Sequence, residues 1–201
     1  MKKLIFFLIL SILIFYYSFQ ERILYKDEGF IRAGNNKEEV IIYGPRYSKY
    51  GNTIAIPAEN YQLEMKGKNK LNIFKLDICQ MDREGSQEIV LGVYKKSPWH
   101  RVMAKRIFIY NFDNNLVAKF RCSRLSKPLI DYIVKKDEVS KIYALLKTKK
   151  AKNVEVYIYD NFSFKRIYKY DLEKYEDVKL KDGYIYVKDK GRWKMYEKII
   201  N

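Results

Sequence analysis

From Glu21 onward, apolar and polar positions alternate in short runs that turn signals interrupt. "EEVIIYG" (38–44), "TIAIP" (53–57) and "YQLEMK" (61–66) read as strands, as do "LNIFKLDIC" (71–79) and "EIVLGVYK" (88–95). "RIFIYNF" (106–112) and "LVAKFRC" (116–122) continue the series across Asp113-Asn114-Asn115. A spacing of roughly ten residues between turn signals predicts an antiparallel meander. The C-terminal end is the plainest hairpin series: "DVKL", "YIYVKD" and "RWKMYEKI", joined at Lys181-Asp182-Gly183 and Lys190-Gly191. Only "YDLEKYEDVKL" (170–180) offers a single helical turn. No linker and no low-complexity tract interrupts the pattern.

The first residues follow another rule. In "MKKLIFFLILSILIFYYSFQER", two lysines precede an apolar run from Leu4 to Phe19, interrupted by Ser11 and Ser18. As a helix this run rises about 24 Å, a little short of a hydrocarbon core of about 30 Å. Tyr16, Tyr17 and Phe19 are placed for the far interface. No small-residue cleavage site and no lipid-bearing cysteine follows. An uncleaved membrane anchor is expected, with a cleaved signal peptide as the alternative. Either reading puts residues 23–201 on the extracytoplasmic side, at the cell membrane or secreted, with the N-terminus cytoplasmic if the anchor stays.

A faint repeat sharpens the fold expectation. "DREGSQEIVLGVYKK" (82–96) aligns with "DEVSKIYALLKTKK" (137–150), and "AKRIFIYNF" (104–112) with "NVEVYIYDN" (153–161). A period of about 50 residues built from four strands is the size of a propeller blade. The expected fold is therefore all-β, with propeller-like antiparallel four-stranded blades in a partial or small propeller after an N-terminal hydrophobic helix. Its parts are an anchor or signal over 1–22 and a repeat domain over 23–201. Blade-like units cover about 71–128 and 129–175, and a meander covers 176–201.

Composition adds a surface. The 201 residues carry 40 Lys+Arg against 24 Asp+Glu, a formal net charge of +16, which attracts polyanions. Nucleic acid is not the expected partner, because the N-terminus directs the domain out of the cytoplasm. Cys79 and Cys122 lie in half-buried strand patterns and are expected as separate buried thiols. No P-loop, G-x-S-x-G or H-E-x-x-H is present, and His100 is the single histidine. An enzyme is not expected.

Residues 75–128 resemble the FG-GAP (VCBS-like) repeats of β-propeller proteins. That family pairs an Asp-x-Asp-x-Asp-Gly loop with Glu-Ile-apolar-Gly-Val. Here the matching positions read Gln80-Met81-Asp82-Arg83-Glu84-Gly85, then Glu88-Ile89-Val90-Leu91-Gly92-Val93. The resemblance implies a calcium loop with oxygen ligands from Gln80, Asp82, Glu84 and Glu88. Glutamine for the first aspartate and glutamate for the third favour a turn that keeps its bend without the ion. No other cofactor is expected.

The loop "KKSPWHRVMAKR" (95–106) sets Trp99, His100 and Arg101 between two strands. With Arg121, Arg124 and Lys127 they are expected to form one basic, aromatic binding patch on an edge. The alternative is a structural loop in which Trp99 plugs a blade and Arg101 pairs with a carboxylate. The functional expectation is a non-catalytic binding or scaffold module for an anionic envelope polymer or a protein. An extracytoplasmic hydrolase working through Asp82 or Glu84 is the alternative, and nucleic-acid binding stands third.

Overall fold

The computed structural model describes residues 20–32, 36–83, 85–149 and 151–200, and every regular element longer than one short turn is a strand. The first meander is β1 (Glu21–Gly29), β2 (Glu38–Pro45), β3 (Thr53–Ile56) and β4 (Tyr61–Glu64). The second is β5 (Ile73–Cys79), β6 (Glu88–Ser97), β7 (His100–Asp113) and β8 (Asn115–Arg121). The third is β9 (Leu129–Lys135), β10 (Lys141–Lys147), β11 (Lys152–Asp160) and β12 (Ser163–Lys169). The last holds only β13 (Asp177–Lys181), β14 (Tyr184–Asp189) and β15 (Arg192–Lys198).

All pairing is antiparallel. The second and third meanders touch edge to edge at one register pair, Lys105 opposite Leu129. The first and second are bridged by reciprocal backbone bonds between Gly51 and Ile73, at 2.9 and 2.8 Å. The sheets stay open among the described residues, and neither a closed barrel nor a propeller ring is formed.

Strand period two explains how the sheets stack. On β6, Ile89, Leu91 and Val93 enter a core shared with Val40, Ile42, Ile54 and Ile56 of the first meander. Val90 points the other way, into a second core with Tyr132, Val134, Ile142 and Ala144 of the third. On β10, Ile142, Ala144 and Leu146 face that second core, while Tyr143 and Leu145 face a third core with Val178, Leu180, Ile185 and Val187. "EIVLGV" and "KIYALL" are thus apolar at successive positions because both of their faces are covered. Gly92 makes one such approach possible, since a Cβ there would lie 2.9 Å from both Phe74 and Tyr132.

Burial falls away from the middle strands toward the last strand of each meander. β4, β8, β12 and β15 are largely exposed. The hairpins follow the expected turn chemistry at the C-terminal end. Asp182-Gly183 and Lys190-Gly191 both have positive φ at each residue, as a right-twisted two-residue hairpin requires.

β1 begins at Glu21, so residues 21 and 22 belong to the first sheet and not to the leader. The helical turn expected within 170–180 is a single bonded turn, with Tyr175 N–H donating to Leu172 O at 3.1 Å, followed directly by β13. The N-terminal helix itself falls on residues 1–19, outside the described residues; among the described ones no helix is long and apolar enough to cross a membrane. Cys79 and Cys122 are both buried and unbridged, as expected.

The first strands of the first three meanders meet over polar side chains. Asp27 on β1 accepts the Ile78 N–H at 2.6 Å and the Lys136 ammonium at 2.7 Å, tying three meanders together. Beside it on β5 stands Asp77, whose Oδ2 is sealed from solvent next to the buried Tyr132 hydroxyl. Burial pushes the Asp77 carboxyl up to about 7, against the opposing pull of Lys75. A carboxyl raised in the fold favours the protonated state. Its stabilising share is complete below the ordinary value of 3.8 and is lost as pH rises through about 7. Asp77→Asn keeps a neutral side chain at every pH. Melting temperatures measured between about pH 5 and about pH 8 should therefore fall less steeply for this variant than for the wild type. Equal slopes would mean that Asp77 is not the titrating group.

Candidate functional site

The acidic turn after β5 is held by a lysine. Glu88, fully buried at the start of β6, accepts the Met81 N–H at 2.8 Å and the Lys119 ammonium at 2.5 Å. Lys119 also contacts the Asp82 carboxylate, so one cation from β8 joins both acids. Burial pushes the Glu88 carboxyl up, and the bonds from Lys119 and Met81 oppose that shift. Gln80 accepts the Ser140 N–H at its main-chain carbonyl at 2.7 Å, which joins the turn after β5 to the turn after β9. Glu84 lies outside the described residues.

Two of the four expected oxygen ligands, Asp82 and Glu88, share the Lys119 ammonium. The position between Asp82 and Glu88 holds an ammonium group, and calcium there would have to displace it. Among the described residues no group of three or more His, Cys, Asp or Glu side chains is placed to hold a metal ion. Asp82, one of the two acids of the hydrolase alternative, is likewise tied to Lys119.

The second feature begins with Arg106. This β7 side chain is 3% exposed. Its guanidinium donates to three main-chain carbonyls: Lys95 at 2.9 Å, His100 at 2.9 Å and Val102 at 3.0 Å. His100 Nδ1 lies 3.3 Å from the same group. A planar fork of donors suits this role, because it satisfies carbonyls on both arms of one hairpin. The β6–β7 hairpin is closed at its tip by His100 N–H donating to Ser97 Oγ at 3.1 Å. Pro98 and Trp99 form the turn, and Trp99 is 91% exposed.

Beneath that hairpin lies a cleft of about 750 Å³. Phe108, Tyr110 and Arg121 line it from β7 and β8, Lys95 and Trp99 from the hairpin, and Lys66 from the segment after β4. Arg121 sits with its guanidinium carbon 5.9 Å from the Tyr110 ring centre. Lys66 is bound to Glu64 at 2.8 Å. Lys95 and Arg121 form no ion pair among the described residues. Burial, and then the nearby Arg121 charge, push the Lys95 ammonium below its ordinary value. Two cations therefore share one partly desolvated concavity with an aromatic floor, an arrangement that a bound anion relieves.

The six residues expected to form one patch are divided among separate places. Trp99 and Arg121 line the cleft. His100 is turned toward Arg106, and Arg101 is exposed on the first part of β7. Arg124 lines a different hollow of about 320 Å³ with Phe120, Tyr157 and Arg166. Lys127 lines a third, of about 350 Å³, with Lys149 and Lys169. The division arises because the chain leaves β8 after Arg121 and crosses to the next meander through residues 122–128. Neither alternative for the loop holds in full: Trp99 plugs no core, and no ion pair of Arg101 is seen among the described residues.

Arg106 and Lys95 were missed in the sequence. Lys95 belongs to an unremarkable "YKKS" run. The one signal for Arg106 was a charge inside an otherwise apolar strand, "KRIFIY". The chain matches no known family model, no curated protein and no solved structure.

Removing Lys119 should leave the Glu88 carboxylate buried and uncompensated. Lys119→Met is expected to cost about 3–5 kcal/mol in denaturant unfolding, and adding Glu88→Gln should recover most of it. Calcium should not raise the melting temperature of the wild type. A calcium-dependent rise would restore the metal reading.

Proposed function

We propose that the chain is a non-catalytic binding module that captures an anionic ligand in the cleft under the β6–β7 hairpin, on the extracytoplasmic face of the membrane. The observation that carries this reading is Lys95 beside Arg121, two cations without an ion pair among the described residues, lining one cleft with Phe108 and Tyr110. Protein surfaces place carboxylates beside cations where the charge is structural, as at Lys119. Here the charge is held next to rings and left open. Arg106 keeps the hairpin rigid, so little ordering entropy is lost when a ligand meets Trp99. The ligand class is an anionic polymer or glycan of the cell envelope, and a protein partner with an acidic segment is the next choice.

The sheet arrangement fits four blade-like meanders in an open, propeller-like arc, in keeping with the resemblance of residues 75–128 to FG-GAP repeats. An arc leaves its clefts on the outside of the sheets, where a polymer can pass through. Residues 4–19 serve as the anchor in this reading.

Two measurements test the proposal. Fluorescent dextran sulfate should bind the protein with an affinity that weakens as salt rises, while neutral dextran should not bind. The double variant Lys95→Gln/Arg121→Gln should lose about tenfold or more, equivalent to about 1.4 kcal/mol, with unchanged melting temperature. Wild-type affinity in that variant would remove the cleft from consideration. For location, protease added to intact protoplasts should remove a C-terminal tag without lysis. Protection until lysis would reverse the assigned topology.

A further inference from the structure

We propose that the outer face of the last sheet is a contact surface for anionic lipid headgroups. The inference rests on the reading of residues 4–19 as a membrane anchor, and goes beyond the ligand cleft, which lies on other strands.

The face follows from strand alternation. Val178, Leu180, Ile185 and Val187 point into the third core. The intervening positions therefore point outward, and register aligns them across the sheet: Lys179 with Tyr186 and Met195, Lys188 with Trp193, and Tyr184 with Lys198. None of these outward residues belongs to any of the three cores. Each of the first three meanders ends in a fourth strand, whereas β15 is the last strand of a three-stranded sheet. Its side chains Trp193 and Met195 are 41% and 59% exposed.

The chemistry of this face is that of a water–lipid interface. Lys179 Nζ lies 4.0 Å from the Trp193 ring centre and 5.5 Å from that of Tyr186, so its stem covers rings while its charge stays at the surface. Tyr184 lies beside Tyr186, with ring centres 6.1 Å apart. Tyrosine and tryptophan with lysine at one level are the residues that settle among headgroups. The acids nearby are already engaged: Asp177 with Lys152 at 2.9 Å, and Glu176 with Lys188 at 3.8 Å. Lys179 and Lys198 form no ion pair among the described residues, which leaves the face positive.

Two features favour lipid over a dissolved polyanion. Met195, and Ile200 just beyond the sheet, are exposed apolar groups that a phosphate or sulfate chain would not use, whereas an acyl boundary would. In addition, the apolar run ends at Phe19 and β1 begins at Glu21, so no spacer separates the anchor from the fold. So short a tether holds the domain at its own membrane, and a lipid surface is the anionic partner it meets throughout.

The chain contains two tryptophans, so Trp99→Phe leaves Trp193 as the sole indole reporter. Trp99 is almost fully exposed, and its replacement leaves the packing intact. The full-length variant is reconstituted into phosphatidylcholine vesicles with or without phosphatidylglycerol, some carrying brominated acyl chains. With anionic lipid, Trp193 emission should move to shorter wavelength and be quenched by bromine. Raised salt or Lys179→Gln/Lys198→Gln should abolish both effects, and zwitterionic vesicles should produce neither. The reciprocal Trp193→Phe chain should show no lipid dependence at Trp99. Protein that floats with both vesicle types while Trp193 emission is the same in each would overturn the contact face and leave the anchor standing. Protein that floats with neither would remove the anchor and this inference with it. A shift caused by a single-stranded oligonucleotide but not by anionic vesicles would overturn the lipid assignment in favour of a soluble polyanion.

Discussion

Burial of both faces of the middle sheets is the constraint on which the rest of this structure depends. β6 and β10 send alternate side chains into different cores, so neither strand has a wet side in its central stretch. Each meander is too thin to bury its own apolar residues, and three successive interfaces share that burial along the chain. Slipping β6 by one residue would exchange Val90 with its neighbours and spoil two cores together. Register is therefore set twice over, which is unusual for strands joined by short turns.

The same stacking controls where polar groups go. The leading strands meet at the middle of the stack, and their acids and lysines are drawn into cross-sheet contacts such as Asp27 with Lys136. Asp77 lies in this region too, and there burial outweighs the opposing pull of Lys75 and Lys136 and raises its carboxyl. The trailing strands stay exposed, and β8, β12 and β15 each carry lysine and arginine. Exposed, charged edges of this kind discourage pairing with other chains.

At the β6–β7 hairpin the scaffold forms the cleft by a different route. Strand β7 is long enough to project past the stacked core, and a buried guanidinium fixes the projecting loop through its carbonyls. Holding the loop this way requires no carboxylate, so the positive charge beneath it remains unneutralised. The acidic turn shows the opposite solution, in which Lys119 closes off two carboxylates. One feature of the chain thus presents charge, and the other consumes it.

Alternation and turn residues alone determined much of the architecture. The strand runs between residues 38 and 122, the C-terminal hairpins at Gly183 and Gly191 and the two unbridged thiols were legible, because they depend on local periodicity and backbone geometry. β1 was missed because "ERILYKDEG" carries few apolar residues and gains its burial only from β5 and β2. The site was legible only in part. Trp99 and Arg121 stood out by type, yet their sharing of one cleft with Tyr110, the separation of Arg124 and Lys127, and the work of Arg106 depend on which meander each strand faces. Lys119 could not be connected to Glu88 from 31 positions away, because nothing local encodes that pairing. Periodicity reports the face a residue occupies. What lies across that face is decided by the packing of sheets far apart in the chain, and the tertiary structure alone supplied it.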